Sequence, residues 1–247
     1  MIFKTKIKAD ILKRFIGITS SLVDDAKFKI MLDGVSMRVV DSAHVAMADI
    51  NVKKTVFEEY EADEAELGLD VSKFNDVLKL VDKNDIVSLE YEEPSNRLVV
   101  KVGNLVRKMG LIDMADMSDS KMPSLVLPAR IVVKAGELRN GVRASEMISD
   151  HLVLVADEDV FELSATGDTD EVSLKLTRDL LSELKSEGRF KSLYSIDYFS
   201  NMIKMVKDDE LITVLMGNDN PAQLDFDFTA DKGGHVTYLL APRIESE

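Results

Sequence analysis

The side chains whose type and spacing could do chemistry are cations on four amphipathic segments, residues 8–20, 71–82, 134–148 and 196–207. These segments hold ten Lys and Arg residues against six Asp and Glu residues. The 247-residue chain has a formal net charge of -14, so the segments are net +4 and the remainder is -18. No aromatic residue except Tyr198 interleaves with the cations, which argues against stacking on unpaired bases. The pattern fits a sparse phosphate-binding surface, and it fits ordinary solvated helix faces equally well.

Residues for other kinds of chemistry are few. The chain has no Cys, which excludes disulfides, cysteine nucleophiles and thiolate metal sites. Its three histidines, His44, His151 and His235, lack metal-ligand spacing, and no glycine-rich phosphate loop or nucleophile elbow occurs. We therefore predict no enzyme, no cofactor and no metal site. The acidic turns at 24–25 and 208–210 leave one alternative open, a magnesium-dependent hydrolase.

The N-terminus lacks the apolar stretch and small-residue cleavage site of a signal peptide. No apolar run approaches the roughly 18–20 residues that span a bilayer. The absence of Cys is typical of a reducing compartment, so we expect a cytoplasmic protein with no membrane partner.

Two kinds of period alternate along the chain. Apolar residues at every second position, as at Val172, Leu174 and Leu176, predict strands with one buried face. Two helical stripes have the spacing i, i+3, i+4, i+7, and each residue of the first lies 125 positions before its counterpart in the second. They are Phe74, Val77, Leu78 and Val81, then Phe199, Met202, Ile203 and Val206.

This spacing predicts an internal duplication. Lys13 and Arg139 are also 126 positions apart, and the order of predicted elements repeats. We expect an α+β fold of two domains, 1–112 and 129–247, each with two helices packed on antiparallel sheets. Residues 113–128, with two prolines and no clear period, are the predicted connector.

Three local strings are LAPRIE at 240–245, DGVSM at 33–37 and VDSAHV at 40–45. They resemble strings of the DNA sliding clamps of the proliferating-cell-nuclear-antigen type. Residues 240–245 read LAPRIE, which is similar to the terminal LAP[KR]IE of that family. Residues 33–37 and 40–45 resemble its DG[IV]S and MDxxHV segments. The resemblance covers the whole chain in order, and the terminal string is typical of the archaeal type.

The resemblance implies a DNA-clamp fold in which three copies join head-to-tail as a homotrimer, forming a ring around duplex DNA. Such a clamp is a processivity factor that binds DNA without regard to sequence. It tethers DNA polymerase and other replication and repair enzymes, including the clamp loader, a flap endonuclease and DNA ligase. A nucleoid-associated location follows. A subunit of a heterotrimeric clamp is the alternative within the same family.

The resemblance also implies site residues. Basic family positions in the ring lumen match Lys13, Arg14, Lys79, Arg143 and Lys204, to which the helical pattern adds Lys8, Lys134, Arg139 and Lys207. A pocket for partner peptides matches Val40, His44, Met47, Met122, Pro123, Pro221, Leu239, Ala241, Pro242 and Ile244. Edge strands near 105–113 and 171–177 would form the subunit interface through Val106, Met109, Leu111, Val172, Leu174 and Leu176. Asp76 and Met147 stand where the family is often basic or His, which lowers the expected positive potential.

Overall fold

The computed structural model describes residues 1–115, 117 and 120–244. Asp116, Ser118 and Asp119 of the predicted connector, and Glu245 of the terminal string, lie outside the described residues. The chain divides into two compact units. The first comprises Met1–Met122 together with Asp227–Val236, and the second comprises Pro123–Phe226 together with the described residues from Thr237 onward.

In its described residues, the first unit contains two α-helices and nine strands. The helices are α1 (Ala9–Ser20) and α2 (Val71–Lys79). The strands are β1 (Phe3–Lys8), β2 (Asp25–Met31), β3 (Gly34–Val40), β4 (Ala46–Lys53), β5 (Glu59–Ala62), β6 (Ala65–Asp70), β7 (Ile86–Glu92), β8 (Arg97–Val102) and β9 (Leu105–Gly110). They pair antiparallel in the orders β5-β1-β7-β8-β9 and β4-β3-β2-β6.

The second unit repeats this plan. Its helices are α3 (Ala135–Glu146) and α4 (Ile196–Ile203). Its strands are β10 (Ala129–Lys134), β11 (His151–Ala156), β12 (Val160–Thr166), β13 (Glu171–Thr177), β14 (Glu183–Lys185), β15 (Phe190–Ser195), β16 (Leu211–Met216), β17 (Ala222–Asp227) and β18 (Gly234–Leu240). They pair in the orders β14-β10-β16-β17-β18 and β13-β12-β11-β15.

The two strand orders correspond element by element, down to the register. Lys8 pairs with Ile86 at the start of β7, and Lys134 pairs with Leu211 at the start of β16. The α+β class and the antiparallel sheets are therefore confirmed. The two predicted helical stripes are buried in full, because each faces the sheets of its own unit.

The helices are shorter than the sequence pattern predicts. α2 ends at Lys79 instead of residue 82, and α4 ends at Ile203 instead of residue 207. The last turns tighten to i→i+3 bonds, such as Val81 N–H to Leu78 O at 3.2 Å and Val206 N–H to Ile203 O at 3.2 Å. The apolar period continues through these turns, so it could not mark where the α-helix stops.

Candidate functional site

The helices of each unit pack in pairs, α1 on α2 and α3 on α4, and their cations differ sharply in environment. Lys134, Arg143 and Lys204 are exposed, and their side chains form no ion pair or hydrogen bond within the described part of the chain. Lys207 is also exposed. These four side chains present positive charge to solvent, as phosphate binding requires.

Two further predicted cations are exposed but paired. Lys79 Nζ lies 2.7 Å from Asp76 Oδ1, three residues earlier on α2. Lys8 Nζ lies 3.8 Å from Glu58 Oε1. Because both pairs are solvent-exposed, each contributes little to stability, and both cations can exchange a carboxylate for a phosphate.

Lys13 and Arg139 face the neighbouring helix of their own unit. Lys13 Nζ donates to the carbonyl oxygen of Val81. Arg139 Nη2 donates to the carbonyl oxygens of Ile203, at 3.0 Å, and Val206. Burial, together with the nearby charge of Arg143, lowers the pKa of Arg139. Both cations therefore bind the end of a helix.

Arg14 requires a correction. Its side chain is only 4% exposed, and Nη1 donates to the carbonyl oxygen of Phe228 at 2.8 Å within the first unit. The family resemblance implies that Arg14 faces DNA, because it matches a basic family position in the ring lumen. Its burial removes it from that set.

The expected peptide-pocket residues of the first unit lie around the turn after β3. Val40 is half-buried, His44 is exposed in the left-handed region at φ 55°, and Met47 is buried in β4. Val40 and His44 line a cavity of about 230 Å³. Met122 is half-buried at the end of the unit.

Asp41 holds this turn, and the sequence pattern did not single it out. The buried carboxylate accepts the backbone N–H groups of Ala43 at 2.9 Å, Val45 at 2.7 Å and Ala46 at 2.6 Å. These bonds fix the conformation from which His44 projects. An Asp that begins a turn directly after a predicted strand was the available signal.

The expected pocket residues of the second unit lie on the connector, before β17, and on the terminal segment. Pro123 is exposed, Pro221, Ala241 and Pro242 are half-buried, and Leu239 is buried. Ile244 is 82% exposed. Arg243 N–H donates to Leu193 O at 2.7 Å, so the terminal segment is bonded to β15. Ile244 and Leu193 line a cavity of about 360 Å³.

The predicted interface residues lie on β9 and β13, each the last strand in its sheet order, or directly after β9. Val106 is 53% exposed, Val172, Leu174 and Leu111 are half-buried, and Met109 and Leu176 are buried within their own units. Apolar side chains on an outer strand are a pairing hazard for a lone chain unless another chain covers them.

The acidic turns have structural partners. Asp24 Oδ1 accepts the hydroxyl of Ser72 at 2.6 Å at the start of α2, and Asp208 forms an ion pair with Arg139. Among the described residues, no three His, Asp or Glu side chains cluster as metal ligands. No helix in the same residues is long and apolar enough to cross a bilayer.

Comparisons with known proteins identify relatives and solved structures that cover nearly the whole chain. Residues 2–118 match the family model for the N-terminal domain of proliferating cell nuclear antigen. The DNA polymerase sliding clamp of Methanosarcina mazei is 41% identical over 246 residues, covering 99% of this chain and 100% of the relative. The structure of A. fulgidus PCNA with the C-terminal region of FEN-1 matches with a TM-score of 0.93 at 34% identity, covering 100% of both chains. The PCNA2–PCNA3 complex of Sulfolobus tokodaii matches with a TM-score of 0.86 at 25% identity, covering 98% of this chain and 100% of that one.

Proposed function

Because the chain belongs to the proliferating cell nuclear antigen family of DNA polymerase sliding clamps, we propose that three copies close head-to-tail into a ring around duplex DNA. The chain is a non-enzymatic clamp and processivity factor of the archaeal type. It keeps DNA polymerase on its template by topology, so its contacts with DNA stay weak enough to allow sliding.

The main support for the ring is the complementary charge at two outer strands, β9 and β13. β9 carries Arg107 and Lys108 beside exposed Val106, while Asp168 and Asp170 lie in the turn before β13 and Glu171 is the first residue of β13. Pairing β9 of one copy with β13 of the next covers both strands and brings opposite charges together. The contact is heterologous, so it closes into a ring when the rotation between copies is a third of a turn.

The lumen of this ring would be lined by exposed cations that lie on the helices or within four residues of a helix end. We name them the lumen cations: Lys8, Lys79, Lys134, Arg143, Lys204 and Lys207. They stand on a chain whose formal net charge is -14, so they mark where phosphate is tolerated on an otherwise repulsive molecule. Their small number supports loose, sequence-independent contact.

Partner enzymes would dock through a short peptide, for which the exposed Ile244 of the second unit is a proposed contact. The solved A. fulgidus relative is bound to the C-terminal region of FEN-1, which supports a flap endonuclease as one partner here. DNA polymerase, the clamp loader and DNA ligase are the other expected clients. The proposal also includes two domains, 1–112 and 129–247, joined by a connector at 113–128. It further includes association of the clamp with the nucleoid.

The mass in solution tests the ring directly. Light scattering after gel filtration should give three times 27.5 kDa over a range of concentrations. A stable 27.5 kDa species at micromolar concentration would contradict the homotrimer. That outcome would favour the second candidate, a subunit of a mixed ring, for which the PCNA2–PCNA3 complex of Sulfolobus tokodaii is the relevant relative.

A further inference from the structure

We propose that Lys13 and Arg139 are positioning residues, which hold the ends of α2 and α4 and do not themselves bind phosphate. This inference rests on the proposed function. It reassigns two predicted lumen cations, Lys13 from the family resemblance and Arg139 from the helical pattern.

The same contact occurs once in each unit. Lys13 of α1 donates to the carbonyl of Val81 just after α2, and Arg139 of α3 donates to the carbonyl of Val206 just after α4. The two donors are 126 positions apart and the two acceptors are 125 positions apart. The residue type differs between the units while the contact is the same, which indicates that the contact itself matters to the fold.

The carbonyl groups at the ends of these helices need a hydrogen-bond donor. The last carbonyl groups of a helix have no partner within it, and they form the negative end of its dipole. In the described chain, the carbonyl oxygens of Val81 and Val206 accept from no backbone N–H, although both side chains are buried. A buried carbonyl without a hydrogen-bond donor destabilises the fold, so a cation from the adjacent helix supplies the donor that the backbone lacks.

Arg139 also has an acidic partner within the chain. Its side chain is 15% exposed and forms an ion pair with Asp208. Arg143, one turn later on α3, is exposed and has no side-chain partner among the described residues. A phosphate would therefore meet Arg143 first and would have to displace Asp208 to reach Arg139.

Two lumen cations lie close in the chain to the carbonyl groups that Lys13 and Arg139 bind. Lys204 comes immediately after Ile203, whose carbonyl Arg139 binds at 3.0 Å. Lys79 lies two residues before Val81, whose carbonyl Lys13 binds. Holding these carbonyls fixes the backbone from which Lys204 and Lys79 project.

The salt dependence of DNA binding separates the two roles. The logarithm of the affinity falls with the logarithm of salt concentration by about 0.9 for each phosphate contact on duplex DNA. We would measure the anisotropy of a labelled duplex with the full-length clamp from roughly 50 to 200 mM salt. Arg143→Met and Lys204→Met should each make the slope shallower, while Lys13→Met and Arg139→Met should keep the wild-type slope.

A second readout follows the helix ends. Lys13→Met should speed amide hydrogen exchange of the turn after α2, and Arg139→Met that of the turn after α4, with Lys13→Arg and Arg139→Lys restoring protection. A slope as shallow for Lys13→Met as for Arg143→Met would overturn the inference, as would unchanged exchange. If either Met variant does not fold, the salt dependence of DNA binding is measured for Lys13→Arg or Arg139→Lys instead. A slope shallower than that of the wild type would then contradict the inference. Absence of salt-dependent binding by the wild-type ring would contradict the proposed function instead, and the exchange measurement would still test the helix contacts.

Discussion

The guanidinium group of Arg14 donates to the carbonyl oxygen of Phe228 at 2.8 Å and lies 5.8 Å from the centroid of the Phe228 ring. The two residues are 214 positions apart in the chain. The contact ties the segment Asp227–Val236 into the first unit, where Lys53 N–H also donates to Gly233 O at 2.8 Å. A cation on a helix thus serves the fold of its own unit.

Arg14→Met should lower the free energy of unfolding by about 1–3 kcal/mol, because it leaves the buried carbonyl of Phe228 without its donor. Urea unfolding followed by circular dichroism measures this change. The matched control is Arg143→Met, which removes an exposed cation and should change stability by less than about 0.5 kcal/mol. Equal stability of the two variants would show that the Arg14 contact is dispensable.

Charge reversal of three lumen cations together, Lys134→Glu, Arg143→Glu and Lys204→Glu, should abolish stimulation of DNA polymerase on a primed template. The three exposed side chains would then repel phosphate instead of attracting it. Assembly should be intact, as checked by light scattering.

The control for this reversal is Lys29→Glu, Lys185→Glu and Lys232→Glu, which changes the net charge equally at exposed positions that are not among the lumen cations. The control should stimulate the polymerase normally. If the lumen variant also stimulates the polymerase normally, the assignment of these cations to the lumen is wrong.

Val106→Asp should dissociate the ring. Val106 is exposed on β9, so the substitution leaves the packing of its own unit intact but buries a charge in the proposed interface. The mass by light scattering should fall toward 27.5 kDa. Leu32→Asp, at a similarly exposed apolar residue in the β2–β3 turn, should keep the trimer mass. If both variants keep that mass, β9 is not the interface.

Ile244→Asp should abolish binding of a peptide from the C-terminal region of a flap endonuclease, measured by fluorescence polarisation. Ile244 is exposed, so folding should be unaffected. Met47→Asp would be a poorer test because Met47 is buried in β4 and a charge there would disturb the core. Leu180→Asp, another exposed apolar residue, is the control and should bind normally. Unchanged titration of the Ile244 variant would remove this residue from the pocket.

Gly68→Ala should destabilise the first unit by about 1–3 kcal/mol. A Cβ atom on Gly68 would lie 2.3 Å from the carbonyl oxygen of Ile112, where the chain leaving β9 bridges to β6. Gly188→Ala is the control, since its Cβ would meet nothing closer than 3.9 Å. Thermal unfolding midpoints that fall equally in both variants would contradict the close approach at Gly68.

Much of the fold could be predicted from periods in the sequence. The buried stripe of α2 and its counterpart in and after α4 follow from residue spacing alone, since a helix must turn its apolar face to the core. The alternation at Val172, Leu174 and Leu176 likewise marks β13, although only Leu176 is fully buried. The α+β class and the family membership were both predicted correctly from such local patterns and short strings.

The roles of individual cations were decided by the tertiary structure. Lys13, Arg14, Arg139 and Arg143 are all basic residues on amphipathic helices, and their spacing does not distinguish them. Arg14 is buried against a residue 214 positions away, Lys13 and Arg139 bind the ends of neighbouring helices, and Arg143 is exposed to solvent. A period reports which face of a helix is apolar, because that depends on neighbours in the chain. Whether a cation at the edge of that face meets a carbonyl or water depends on which distant segment packs beside it.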